Sequence, residues 1–133
     1  MKKRLAWFVV LIMILAAFAV PVAAATEICN VHTQGYWKNH EAAWTNDDCP
    51  TIGEINTQEE WLDVLKTPPK GDPWFLLAHQ YIASFLSGLD GPSMDDAARI
   101  LGTYGPGQIP EGDEEDQTRY LANLFDAYNN NEL

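Results

Sequence analysis

The chain has 133 residues and a formal net charge of −11 at neutral pH, with nineteen acidic side chains against eight basic ones. A surface this acidic repels phosphate backbones and anionic lipid, so nucleic-acid binding is disfavoured. The length suits one domain with a modest hydrophobic core.

The first predicted element is a targeting segment at residues 1–25. Lys2, Lys3 and Arg4 precede an uncharged apolar run, and the small residues Ala24 and Ala25 end the segment. This order of basic head, apolar middle and small-residue site predicts a signal peptide that is cleaved during export. The alternative, a retained membrane anchor, is less favoured because a spanning helix needs about 20 apolar residues.

Cleavage would leave an acidic mature domain at residues 26–133. The leader holds three of the eight basic side chains and none of the nineteen acidic ones, so the mature charge is −14. We expect a secreted or cell-surface protein that meets the membrane only through its leader, before cleavage.

The most specific stretch is the octapeptide Thr33-Gln34-Gly35-Tyr36-Trp37-Lys38-Asn39-His40. Helical spacing predicts that Trp37, His40 and Trp44 share one face, with the histidine between two indoles. Such a stripe is either a packing nucleus or the wall of a binding site. With Tyr36, the indoles could form a platform for sugar or peptide, but core packing is favoured. Gly35 is expected to allow close approach or an unusual backbone angle.

The cysteines, Cys29 and Cys49, flank the octapeptide. In the oxidising compartment that export implies, a disulfide is the default expectation, and it would clamp the octapeptide segment. Free thiols or a shared metal are less favoured because no CxxC spacing supports them.

Two helices are predicted next. Thr57-Gln58-Glu59-Glu60 matches a capping box, which predicts a helix at about 58–66 that ends before Pro68-Pro69. Asp72-Pro73 predicts the start of a second helix, with Gly88 as its stop. Apolar residues recur through this second helix so widely that we expect it to be central and mostly buried.

Two further helices complete the predicted fold. Ser93-Met94-Asp95-Asp96 reads as another capping box, for a helix that ends at Gly102 or Gly105. The last helix should begin in the acidic group 113–116, which suits the positive end of a helix dipole. Its predicted inward residues are Tyr120, Leu121, Leu124, Phe125 and Tyr128. The prediction is an all-α single-domain bundle of four to five short helices.

The octapeptide, with a cysteine before it, resembles a signature of small secreted and cell-surface prokaryotic proteins that have no established biochemical activity. The resemblance continues through residues 64–72 and through Leu77-Ala78-His79-Gln80-Tyr81-Ile82-Ala83. A weaker echo follows at Asp126-Ala127-Tyr128-Asn129-Asn130. It implies a secreted or cell-envelope domain.

Two histidines are candidate site residues. His79 is expected on the core side of the central helix, and His40 is expected to face inward on the first. Zinc would need a third ligand, such as Asp126 or Glu41, but no spacing fixes two ligands on one helical face. The favoured interpretation gives each imidazole a hydrogen bond to backbone, Asn39 or Gln80. No role is assigned to His32.

Two acidic sets could gather oxygen ligands for calcium. They are Asp90 with Asp95 and Asp96, and Glu111 with residues 113–116, and neither matches the EF-hand spacing. Helix capping and surface charge explain both sets adequately.

Two functions remain open. The first is a non-enzymatic secreted or cell-envelope domain that binds an unknown ligand or has a structural role, clamped by a disulfide around the octapeptide. The second is a small metal-dependent hydrolase of envelope polymers that uses His40 and His79. Nucleophile motifs give no support to other catalytic classes, and the first function is preferred, with no cofactor.

Overall fold

The computed structural model describes residues 31–44 and 49–132. This part of the chain is helical and contains no β-strand, which confirms the all-α prediction. The predicted leader and Cys29 lie outside the described residues. The helices are α1 (Gln34–Asn39), α2 (Gln58–Lys66), α3 (Pro73–Leu86), α4 (Pro92–Thr103) and α5 (Asp113–Asn129), and a 3₁₀ turn spans Glu41–Ala43.

Helix α3 is the centre of the domain, as predicted. Its N-cap Asp72 accepts a hydrogen bond from the Trp74 N–H at 2.9 Å, and Pro73 is its first residue. Residues 77–84 are all buried, because α3 is covered by α1, α2, α4 and α5. A helix that is covered on so many sides must be apolar around most of its circumference.

The end of α3 is a Schellman motif, which confirms Gly88 as its stop. Leu89 donates its N–H to the Ser84 carbonyl at 2.9 Å, and Gly88 donates to Phe85 at 3.0 Å. Gly88 has a φ of +86°, a left-handed conformation that glycine adopts without steric cost.

Helix α2 has the predicted bounds and the predicted capping box. The Thr57 side chain accepts from the Glu60 N–H at 3.2 Å, while the Glu60 carboxylate accepts from the N–H groups of Asn56 and Thr57. These hydrogen bonds, the Asn56 bond first, lower the pKa of Glu60. Trp61 of α2 is fully buried, and its Nε1 donates to the Pro50 carbonyl at 2.9 Å.

Helix α4 differs from the prediction at its start. It begins at Pro92 with Gly91 as N-cap, so the predicted capping box at Ser93 is wrong. Proline presets the helical φ and needs no N–H partner at the first helical position, so it starts the helix before Ser93. At the other end, the helix runs through Gly102 to Thr103 with Tyr104 as C-cap, so it stops next to Gly105, one of the two predicted ends.

Helix α5 begins at Asp113, as predicted, and packs along α3. Leu121 and Phe125 are buried, but Tyr120 is 65% exposed, so its predicted inward position is wrong. The buried face is centred on Thr118, Leu121 and Phe125, and a residue one step before Leu121 is rotated about 100° away from it.

No helix in residues 31–44 and 49–132 combines the length and the apolar character that crossing a membrane requires.

Candidate functional site

The octapeptide forms helix α1, but the helix ends before His40. That residue leaves the helical conformation, with φ −127° and ψ 58°. The Asn39 side chain donates to the Gly35 carbonyl at 2.8 Å, so side-chain bonds replace further helical bonds in the last turn. The prediction of a helical stripe made by Trp37, His40 and Trp44 is therefore wrong.

Gly35 also differs from the expectation. Its φ is not positive, and a Cβ added there would meet only the Thr33 Oγ1 atom, at 3.8 Å. That distance is an ordinary van der Waals contact, so neither close approach nor an unusual backbone angle explains this glycine.

The two indoles of the segment belong to the core. Trp37 is 6% exposed and Trp44 is 4% exposed. Trp37 Nε1 lies 3.4 Å from the Ser87 hydroxyl at the end of α3, and Trp44 Nε1 donates to the Trp37 carbonyl at 3.0 Å. Both polar N–H groups are therefore satisfied inside the domain, which is the usual requirement for a buried tryptophan.

The outer side of the segment carries a stack of three rings. The Tyr36 ring lies between two imidazoles, with centroids 3.7 Å from His32 and 4.0 Å from His40. His40 is exposed, and its Nδ1 lies 2.8 Å from the Tyr36 carbonyl. The histidine expected between two indoles is thus stacked on a tyrosine. His32 precedes the helix and His40 follows it, so helical spacing did not indicate this stack.

His79 points into the domain, as predicted. Its Nε2 donates to the Val64 carbonyl at 2.7 Å, and its Nδ1 lies 3.2 Å from the side-chain amide of Gln34. The Gln34 atom nearest Nδ1 is the amide oxygen Oε1. A neutral imidazole with Nε2–H leaves Nδ1 as an acceptor, and a 180° rotation of the Gln34 amide presents its NH₂ group to the ring. Burial lowers the pKa of His79, hydrogen bonds from the ring to the backbone of Val64 and Thr67 oppose this shift, and the nearby Lys38 charge lowers the pKa further.

Gln80, the next residue, joins α3 to α5. Its Nε2 donates to Asp126 at 2.9 Å, and its Oε1 accepts from Asn129 Nδ2 at 2.9 Å. Asn129 in turn accepts from the Ser84 hydroxyl at 3.0 Å. Asn129 and Ser84 are almost fully buried, so each polar atom there needs the partner it has.

These contacts bring together stretches that are far apart in sequence. The octapeptide reaches His79 through Gln34, the 64–72 stretch reaches it through Val64, and the 126–130 stretch reaches Gln80. Every stretch in the resemblance therefore meets the His79–Gln80 pair. Of the hydrogen-bond partners of this pair and its network, Gln34 and Asn129 lie in those stretches, whereas nothing in the sequence pattern indicated Ser84.

The candidate metal ligands have separate surroundings. His40 contacts Tyr36, His79 contacts α1 and α2, and Asp126 accepts from Gln80 and Asn130. Across residues 31–44 and 49–132, no three His, Cys, Asp or Glu side chains are grouped so that they could hold a metal ion. The described residues therefore do not bring together His40, His79 and Asp126.

The exposed end of the Gln80 network borders a groove of about 300 Å³ between α3 and α5. Arg119 and Asp126 both line it. Arg119 is held by Glu115 at 2.7 Å and by the Gly71 carbonyl at 3.1 Å. The charged groups at this groove thus already have protein partners.

No protein-family model, curated protein or solved structure matches this chain.

Proposed function

We propose that this protein is a non-enzymatic binding or structural domain of the cell exterior, exported by its leader. The observation that carries the proposal is the buried His79–Gln80 pair. Both side chains are hydrogen-bonded to other helices of the domain, although the sequence made His79 a candidate metal ligand. Their arrangement holds the helices together, which suits a domain whose surface, rather than a catalytic centre, does the work.

The state of His79 supports this interpretation. A general base must reach the proton that it abstracts, and a zinc ligand must offer a ring nitrogen to the metal. In His79 one ring nitrogen faces the Val64 carbonyl and the other faces Gln34, inside a buried site. Using either nitrogen for catalysis would break a contact between α3 and its neighbours.

The sequence supplies the proposed location. A cleaved signal peptide at residues 1–25 gives a secreted or cell-surface protein, and a Cys29–Cys49 disulfide would clamp the octapeptide there. The mature charge of −14 suits a soluble surface that avoids nucleic acid and anionic lipid. The ligand would be an envelope or extracellular component.

A sedimentation assay with isolated cell envelopes tests this function. The exported, processed protein should bind envelopes saturably without releasing soluble fragments of the polymer. Release of fragments, together with stoichiometric zinc in the purified protein, would instead support the metal-dependent hydrolase.

Matched variants sharpen the comparison. His40→Gln should leave both envelope binding and metal content unchanged, and His79→Gln should lower the melting temperature without removing a metal. Loss of bound zinc in both variants would contradict the proposal, because it would place both histidines at one metal.

A further inference from the structure

A second groove, of about 510 Å³, lies on the side of the domain where α2, α3 and α4 meet. Its walls are the turn at residues 52–55, one side of α2, the start of α3, and residues 101–106 at the end of α4. This volume lies within the range of small-ligand sites and is large enough for bulky side chains.

The floor of this groove is apolar. Ile52, Trp74 and Leu101 are buried beneath it, and Phe75 and Tyr104 are half-buried at its surface. Trp74 Nε1 already donates to the carbonyls of Leu101 and Tyr104, at 3.2 and 2.8 Å. With the indole N–H satisfied, the half-buried rings of Phe75 and Tyr104 supply the surface that an occupant can reach, which favours an aromatic or large aliphatic side chain.

The rim of the groove is acidic. Glu54 and Asp63 line it, both are exposed, and no lysine or arginine is among the described residues that line it. Asp63 also borders a neighbouring groove on α2 that adds Glu41 and Glu59. Lys66 is the one basic side chain among the described residues that line this second groove, and it is paired with Glu41. A positive charge beside the apolar anchor would therefore meet carboxylates on both sides of α2.

The walls are held in place by the protein itself. The turn at 52–55 is closed by two backbone hydrogen bonds between Ile52 and Ile55, at 2.8 and 3.0 Å. On the opposite wall, the Gly105 N–H donates to the Gln108 side chain at 3.0 Å. A groove with fixed walls loses little conformational entropy when it is filled.

We propose that this groove binds an extended peptide segment in which an aromatic or large aliphatic side chain lies next to lysine or arginine. The proposal rests on the binding function above and names the partner class. A second copy of this chain is a poorer occupant because two domains of charge −14 repel each other, and an anionic lipid surface is disfavoured for the same reason.

The probe is a synthetic blocked peptide, Gly-Lys-Trp-Lys-Gly, titrated into ¹⁵N-labelled processed protein and followed by NMR. Amide shifts should concentrate at residues 52–55, 63–67 and 101–106. The matched peptides Gly-Lys-Ala-Lys-Gly and Gly-Glu-Trp-Glu-Gly should bind much more weakly. Equal binding of the alanine peptide would overturn the proposal, because it would mean that the groove contributes nothing beyond general charge attraction.

Variants of the rim test the role of charge. Asp63→Asn and Glu54→Gln should each weaken binding about two- to fivefold at low ionic strength, as expected for exposed charge pairs. The control Glu111→Gln removes a carboxylate that does not line the groove, so it should change affinity less. Equal losses in all three variants would mean that only net charge matters, and would also overturn the proposal.

Gly102 allows the groove to be blocked without disturbing the fold. It lines the groove within α4, is exposed, and has no atom within 4 Å of an added Cβ. Gly102→Lys should abolish peptide binding, because the new side chain fills the groove and its positive charge repels the lysines of the peptide. Gly102→Ala should retain most of the binding. Both should keep or raise the melting temperature, since glycine is a poor helix former.

Envelope binding separates this proposal from the general function. If Gly102→Lys loses the peptide and also loses envelope binding, the groove is the binding surface. If it loses neither, the groove proposal is wrong, while the binding function stands. If the parent protein sediments as a dimer that Gly102→Lys dissociates, the occupant is a second copy and the peptide proposal is overturned.

Discussion

His79 and Gln80 are neighbours on α3, yet they hold different parts of the domain. His79 bonds to the Val64 carbonyl of α2, and Gln80 bonds to the Asp126 carboxylate of α5. One dipeptide thus fixes the central helix against helices on different sides of it. Changes at either position should therefore affect stability more than surface chemistry.

The burial of His79 gives the domain a pH-dependent stability. Its pKa is lowered in the folded protein, so near and below the ordinary value of about 6.5 the unfolded chain binds more protons than the folded one. The contribution is fully present above about pH 6.5 and is lost as the pH falls toward the folded pKa. Chemical denaturation between pH 5 and 8 should show that the free energy of unfolding falls as the pH is lowered.

His79→Gln isolates that contribution. It should lower stability at pH 7.5 by about 1–3 kcal/mol, the usual cost of an incompletely satisfied buried polar site, and should flatten the curve between pH 5 and 7. His40→Gln, at an exposed position, should leave the slope unchanged. A slope that persists in His79→Gln would assign the effect to another group.

Asn129 tests the hydrogen-bonded connection between α3 and α5. Asn129→Ala removes the partner of the Ser84 hydroxyl and of Gln80 Oε1, so we expect a loss of about 2–4 kcal/mol in urea unfolding. Asn123→Ala removes an exposed amide from the same helix and should change stability by less than about 0.5 kcal/mol. Comparable losses in the two variants would show that the buried hydrogen bonds of Asn129 contribute no more to the free energy of unfolding than an exposed amide does.

The accuracy of the sequence predictions follows the range of the interactions involved. The capping box at Thr57, the N-cap at Asp72 and the stop at Gly88 were predicted because each acts within about one helical turn. The contact between Gln34 and His79 spans 45 positions, and no local pattern encodes it. Nonlocal contacts of this kind form the site around His79 and Gln80. The sequence pattern therefore indicated these two residues but not the residues that they contact.

The errors have the same origin. Helical periodicity placed His40 on a core stripe, but the side chain of Asn39 bonds the last turn of α1 and the chain turns at His40. Periodicity also placed Tyr120 inward, although packing on α3 centres the buried face of α5 on Leu121 and Phe125. Where a helix ends and how it is rotated depend on its neighbours.

The predicted disulfide can be tested directly, although Cys29 lies outside the described residues. A Cys29–Cys49 bond should stabilise the exported protein by roughly 3 kcal/mol in the chain-entropy model. Reduction should therefore lower the melting temperature, and the native protein should show no thiol reactivity before reduction. The double variant Cys29→Ser/Cys49→Ser serves as control and should be insensitive to reductant. Two reactive thiols in the native oxidised protein would exclude the bond.

The acidic surface should make stability depend on salt. Self-repulsion at a mature charge of −14 is a destabilising term that sodium chloride screens, so the melting temperature should rise between 10 and about 300 mM salt. Calcium at matched ionic strength should give the same rise, because Asp95 and residues 113–116 lie in first helical turns, where the positive end of the helix dipole suits their charge. A much larger shift with millimolar calcium would show a specific site through binding linkage.

Trp37 provides the most direct test of the octapeptide as part of the core. Its side chain is buried, bonds to Ser87, and offers its own carbonyl to the indole of Trp44. Trp37→Ala should therefore cost about 3–5 kcal/mol, the usual loss for a buried large aromatic, and should reduce the cooperativity of thermal unfolding. Tyr120→Ala removes an exposed aromatic and should change stability by less than about 0.5 kcal/mol. If Trp37→Ala unfolds like the parent protein but fails to bind envelopes, the indole belongs to a binding surface instead.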